Sequence, residues 1–256
     1  MTKSLRLLAV ACAALLAVAV PHAVRAAEFS APQRGEIEKI VRDYLIAHPE
    51  VLQEAMAELE KRQAAAEVEK HKDAVKQNAQ ALFSSPRQVN LGNPQGNVTF
   101  VEFFDYNCGY CKRAMEDMMA LMKSDPKLKI VLKEFPVLGP GSVEAAQVAV
   151  AVNMQDKTGK KYLEFHQKLL SGRGQADRAR AIAVAKEIGM NVAQLEKDMA
   201  SPEVKATLQE NFKLAEALGL NGTPSYVIGD KVIVGAVGLA PLQEGINNAR
   251  CGKPTC

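Results

Sequence analysis

Apolar positions along the chain change their spacing several times, and each change marks an element. Leu7 to Val20 is apolar and carries no charge. Ile37, Ile40, Val41, Tyr44 and Leu45 then recur at helical spacing on one face, interrupted at His48-Pro49-Glu50, where a proline opens a new helix. Val51, Leu52, Ala55, Met56 and Leu59 continue the pattern. From Lys61 to Lys76 only Val68 and Val75 are larger apolar residues among Glu, Lys, Gln and Ala. So thin a stripe predicts a helix that needs a partner, either a second helix of like kind or the remainder of its own chain. No heptad repeat lasts long enough for a regular coiled coil.

Ser84-Ser85-Pro86 ends this helical stretch, and Gln88 to Leu91 reads as a short edge strand. After the turn Asn93-Pro94-Gln95-Gly96-Asn97 comes Val98 to Phe104, an apolar, β-branched and aromatic run that predicts a buried strand. Lys112 to Met122 has helix formers and helical spacing, and Lys129 to Pro136 is the next strand. Residues 142–218 are helical in pattern almost throughout. Ser225 to Ile228, Gly229-Asp230 and Lys231 to Gly235 form a β-hairpin, and Pro241 to Ala249 a closing helix. This order makes an α/β chain.

Lys3 and Arg6 ahead of the first apolar run, and Val24-Arg25-Ala26 after it, have the form of an export leader cleaved near Ala26, with Ala23 or Ala27 as alternatives. The run is short for a membrane span. The chain carries 32 Lys and Arg against 29 Asp and Glu. Loss of Lys3, Arg6 and Arg25 with the leader makes the two equal, so charge supplies no argument for nucleic-acid binding. Cys12 leaves with the leader, and Cys108, Cys111, Cys251 and Cys256 remain, an even number suited to an oxidising compartment.

Cys108-Gly109-Tyr110-Cys111 falls where the buried strand hands over to a helix. Unpaired backbone N–H groups and the helix dipole there favour a thiolate, drawing a cysteine pKa down from about 8.5 toward roughly 3.5–7.5. A zinc site is the competing reading, but zinc usually takes four ligands, and His22, His48, His71 and His166 form no cluster with the pair. A purely structural disulfide over so short a loop removes little chain entropy. The pattern therefore points to thiol–disulfide chemistry with no bound cofactor.

Val101-Glu102-Phe103-Phe104-Asp105-Tyr106-Asn107-Cys108-Gly109-Tyr110-Cys111-Lys112, with Gly222-Thr223-Pro224-Ser225, resembles the DsbA family of envelope thiol–disulfide oxidoreductases over roughly residues 84–250. The resemblance implies a thioredoxin fold with an inserted helical domain at about 142–218. It also implies that Cys108 attacks, Cys111 resolves, Pro224 is a cis-proline opposite the dithiol, and Thr223 tunes it. Glu102 matches a buried acid and Lys133 its basic neighbour, a pair that either shuttles the Cys111 proton or is merely a partly buried ion pair. Gly109-Tyr110 with Thr223-Pro224 is similar to the disulfide isomerases, and with no imidazole between the cysteines to stabilise the Cys108 thiolate the expected potential is less oxidising than about −120 mV.

Ile40-Val41-Arg42-Asp43-Tyr44-Leu45-Ile46-Ala47-His48-Pro49-Glu50-Val51-Leu52 resembles the N-terminal region of the ScsC branch, the copper-sensitivity-suppressor oxidoreductases, some of which are trimers. The expected organisation is a signal peptide (1–26), an oligomerisation segment and linker (27–84), a DsbA-like domain (85–250) and a tail (251–256). In the tail, Cys251 and Cys256 make a terminal staple or, as the sharper alternative, a second redox pair. The expected function is a periplasmic, homotrimeric isomerase or reductase of client-protein disulfides, not an integral membrane protein, kept reduced by a membrane thiol reductase. An oxidase of the same fold competes, as does a non-enzymatic chaperone or copper(I)-binding protein, since thiolates suit copper(I). Met115, Met118, Met119 and Met122 are read as core or as a client-facing apolar surface.

Overall fold

The computed structural model describes residues 29–156 and 158–256. The expected leader and its cleavage near Ala26 lie outside these residues. The chain divides into two compact units, the first through Glu60 and the second from Lys61 to Cys256.

In the first unit, helix α1 (Ala31–Ala47) starts at Ser30 with a capping box: the Ser30 side chain accepts from the helix, and Gln33 accepts from the Ser30 backbone N–H at 2.9 Å. Pro32 sits in the first turn, where its missing N–H costs nothing. The helix ends before Pro49, and α2 (Glu50–Gln77) follows. No residue of α1 is buried, and Ile37, Ile40, Val41, Tyr44, Leu52, Met56 and Leu59 are exposed.

The second unit holds a mixed sheet of five strands among the described residues: β1 (Val89–Gly92), β2 (Val98–Phe104), β3 (Leu128–Glu134), β4 (Ser225–Ile228) and β5 (Lys231–Val234). Their order is β1-β3-β2-β4-β5, with β2 and β3 parallel and the other pairs antiparallel. Central β2 is apolar on both faces because both are covered. Phe100 and Phe104 pack on one face with Met118, Leu121, Ile130, Leu242 and Ile246. Val101 and Phe103 pack on the other with Val131, Phe135, Leu214 and Leu218, and with Val75 and Leu82. Leu82 belongs to the short helix α3 (Ala79–Phe83), so this core includes residues ahead of the expected domain start at 85.

Helix α4 (Gly109–Ser124) follows β2. Between β3 and β4 comes the helical insertion: α5 (Pro140–Gln155), α6 (Lys160–Ser171), α7 (Arg178–Glu187), α8 (Val192–Met199) and α9 (Pro202–Ala217). Small residues let α5 sit inside this block; Ala145, Ala146, Ala149 and Ala151 are buried with Val148 and Val152. Helix α10 (Leu239–Cys251) closes the chain, and Cys251 is joined to Cys256 by a disulfide. This is the expected α/β architecture, a thioredoxin-like sheet interrupted by a helical block.

Candidate active site

Cys108 is the N-cap of α4, and Cys111 lies in its first turn. Both are buried and unpaired by disulfide. The loop that delivers Cys108 is fastened from several sides. Asp105 Oδ1 accepts from the Asn107 N–H at 2.8 Å, and its Oδ2 from the N–H groups of Val137 and Leu138 at 2.8 and 2.9 Å. Asn107 Nδ2 donates to Ser142 Oγ and the Ala176 carbonyl, both at 2.9 Å, while its Oδ1 accepts from the Ala176 N–H at 2.7 Å. Lys112 Nζ donates to the Gly172 carbonyl at 3.0 Å. The loop is thereby tied to the helical insertion as well as to the sheet.

The two cysteines differ in electrostatics. A hydrogen bond from the Cys111 thiol is the largest influence on Cys108, joined by Thr223 and by the backbone N–H groups of Cys111 and Tyr110. Together they outweigh burial and lower the Cys108 pKa from 9.0 to about 5. Cys111 is pushed strongly upward by holding its proton toward Cys108, by burial and by the nearby Glu102 charge. Near neutral pH the pair is one thiolate and one thiol.

The Thr223–Pro224 bond is cis, and Cys108 Sγ lies 3.1 Å from the Thr223 carbonyl oxygen. Tyr110, Gly222, Thr223, Val234, Gly235 and Ala236 line a groove of about 240 Å³ beside the dithiol. Tyr110 is 59% exposed, with the Arg113 guanidinium 4.8 Å from its ring centre.

Residues 99–247 match the family model of the DSBA-like thioredoxin domain, more than half of the chain. The chain belongs to the DSBA-like thioredoxin family. Residues 33–66 match the copper resistance protein ScsC N-terminal domain. A thioredoxin-like oxidoreductase from Silicibacter pomeroyi is 43% identical, with 68% of this chain and 98% of that one covered at a TM-score of 0.64. A linker-deletion mutant of Proteus mirabilis ScsC is 28% identical, with 88% and 98% covered and a TM-score of 0.65. Among curated relatives, the probable disulfide bond formation protein D of Bacillus cereus is 25% identical over 167 residues, a match that covers 60% of this chain and 76% of that protein. The chain spans only 24% of the Na(+)/H(+) antiporter NhaA 1 of Salinispora arenicola, to which it is 22% identical over 163 residues. Among the described residues, no helix is long and apolar enough to cross a membrane.

This member of the DSBA-like family brings five of the six expected site residues together: Cys108, Cys111, Thr223, Pro224 and Glu102. Glu102 lies on β2 beneath the dithiol, and its carboxyl is raised from 4.5 to about 8, chiefly by burial and then by the charges of Asp117 and Cys108. The sixth, Lys133, is a correction. Along parallel β2 and β3 it is Phe103 that stands beside Lys133, and Glu102 beside Leu132. Side chains alternate across a sheet, so Glu102 and Lys133 point to opposite faces and form no pair. Lys133, 1% exposed, donates instead to the Ala81 carbonyl at 2.7 Å and lies 3.9 Å from Glu210. Burial lowers its pKa to about 8.

Sequence reasoning passed over Asp105 and Asn107, although Asx residues ahead of a helix are a usable signal. It also passed over Tyr226, opposite Glu102 on β4, and a buried polar cluster. In that cluster Tyr162 donates to Glu134 Oε1 at 2.6 Å and Tyr106 to the same oxygen at 3.3 Å, with His166 Nδ1 3.4 Å from the Tyr106 hydroxyl. Burial lowers His166 to about 3, so its imidazole is neutral near pH 7, and burial raises Glu134 well above its usual range. Of the methionines on α4, Met118 is fully buried, while Met115, Met119 and Met122 are half-buried against the same core.

Proposed function

We propose that this protein is a periplasmic disulfide isomerase or reductase acting on client proteins. The Cys108 thiolate attacks a client disulfide; its sulfur bonds to one client sulfur, and the other leaves as a thiolate. Cys111 then gives its proton to Glu102 and attacks Cys108 Sγ. The client sulfur departs, leaving a Cys108–Cys111 disulfide and a client reduced by two electrons. In isomerisation a client thiolate displaces Cys108 before Cys111 acts, and no net electrons move. A membrane thiol reductase returns the dithiol after net reduction.

The observation that carries this reading is the division of labour within the dithiol, one sulfur held as thiolate and the other as thiol beside a groove at the cis-proline. Isomerisation over oxidation is supported by the exposed apolar positions of α1 and α2, from Ile37 to Leu59. Such a face suits assembly with copies of itself into a trimer, with several dithiols around one client. Residues 27–60 supply this assembly function, residues 61–84 belonging with the second compact unit, and the leader-like first 26 residues support export to the periplasm. An oxidase is the second reading, because a thiolate this stable is also a good leaving group.

The test is reactivation of a scrambled-disulfide substrate by the mature chain and by a version lacking residues 27–60, which keeps the residues of the second compact unit. Activity in the intact form that is lost on truncation is expected. Absence of isomerase activity in both, with rapid oxidation of a reduced substrate by the disulfide form, would favour the oxidase. Absence of any exchange with tight stoichiometric copper(I) would favour a binding protein.

A further inference from the structure

Buried polar atoms almost always find a partner, so those that do not are candidates for function. Among the described residues two such atoms belong to register partners on neighbouring strands: Glu102 Oε2 and the Tyr226 hydroxyl. Glu102 on β2 and Tyr226 on β4 are register partners in an antiparallel pair, so their side chains stand side by side on one face. That face is the one packed under Cys111, in a cluster holding Phe100, Phe104, Cys111 and Tyr226. The Tyr226 ring is set by Phe100, with centroids 5.2 Å apart. Glu102 is 2% and Tyr226 1% exposed. A phenylalanine would fill the same apolar site without a polar atom to satisfy.

We propose that Tyr226 is a positioning residue for proton transfer: its hydroxyl donates to Glu102 when that carboxyl is ionised, directly or through one water, readying it to take the Cys111 proton. The inference rests on the thiol-exchange reading above. In the resolving step the Cys111 S–H proton passes to the Glu102 carboxylate, the Cys111 sulfur bonds to Cys108 Sγ, and the client sulfur leaves with the bond's electrons. Tyr226 keeps its own proton throughout.

The surroundings leave Tyr226 as the donor for this task. On α4, Cys111 gives up its proton and the half-buried Asp117 adds only negative charge, which disfavours ionisation of both Glu102 and Tyr226. Cys108 contributes negative charge as well. From β3 the same face presents Leu132, and further along Glu134, which accepts from Tyr162. From α10 it presents Leu242 and Ile246. Lys133, the expected cation, faces the other way.

The test is rapid mixing of the reduced mature protein with glutathione disulfide across pH, with acid quenching to follow loss of the Cys108–glutathione intermediate. A donor to a carboxylate lowers the pH at which it ionises, so Tyr226→Phe should move the midpoint of resolution upward by about one pH unit. At a pH below both midpoints the variant then resolves about tenfold more slowly. The two profiles converge at high pH. Below the wild-type midpoint, where Glu102 is neutral, thermal stability should hold or rise, because an unpartnered buried hydroxyl is gone. Superimposable profiles would overturn the proposal while leaving exchange itself standing, whereas no exchange by the wild type at any pH would overturn the reading beneath it. Should the single variant fold poorly, the pair Glu102→Gln and Glu102→Gln with Tyr226→Phe decides the matter. The second change should then add no kinetic effect, and an undiminished effect of Tyr226→Phe without Glu102 would refute the coupling.

Discussion

Replacing Cys111 with alanine removes the largest stabiliser of the Cys108 thiolate. A hydrogen bond to a charged group contributes about 1.5–3 kcal/mol, and one pKa unit corresponds to about 1.36 kcal/mol. The Cys108 midpoint should therefore rise from about 5 to about 6–7. The remaining depression comes from Thr223 and the backbone N–H groups of α4, which the substitution leaves in place. At neutral pH at least about half of Cys108 then still ionises, and the more basic thiolate is intrinsically about 3–10-fold more nucleophilic. Attack on glutathione disulfide should not slow, while departure of Cys108 from a mixed disulfide should. Ultraviolet thiolate absorbance against pH gives the midpoint, and Cys111→Ser, which keeps a hydroxyl donor, is the control expected near the wild-type value. An alanine variant that still titrates near 5, or a serine variant shifted as far as alanine, would refute this account and place the stabilisation in the helix terminus alone.

Further outcomes follow from the same geometry. A Cys108 pKa of about 5 lies between the values of about 7 and 3.5 that accompany potentials of about −270 and −120 mV in thioredoxin and DsbA, so interpolation places this couple near −180 mV. Equilibration with glutathione buffers checks it, and a value at either extreme contradicts it. Glu102 binds its proton more tightly folded than unfolded, so its burden on stability is absent below about 4.5 and complete above about 8. Glu102→Gln should then gain up to about 5 kcal/mol over wild type between pH 4.5 and 8.5 in denaturant titrations, and parallel pH dependences would contradict this. Lys133→Met should leave the pH midpoint of Cys108–Cys111 disulfide formation unchanged, because Lys133 lies on the far face; a displaced midpoint would restore it to the proton path.

Much of this was legible because local rules and tertiary demands agree. The apolar run of β2, the break at Pro49 and the hairpin at Gly229-Asp230 each carry their own signal, and each element forms where its signal stands. The dithiol at a helix N-terminus was equally plain from Cys108 to Cys111. What escaped depends on register. Lys133 follows Leu132 along the chain, but whether it meets Glu102 depends on which residues of β2 and β3 stand side by side, and a one-residue slip changes the face. Tyr226 escaped for the same reason, since its nearness to Glu102 exists only through β2–β4 pairing. Leu82 looked like linker because α3 is five residues long, yet it is fully buried in the core.

The most direct test of the central claim is covalent capture. In Cys111→Ser protein expressed in its own compartment, client adducts joined through Cys108 should accumulate on non-reducing gels and disappear on reduction, while Cys108→Ser protein should show none. Adducts that persist without Cys108, or their absence from the Cys111→Ser protein, would contradict the claim that this chain exchanges disulfides with clients through the Cys108 thiolate.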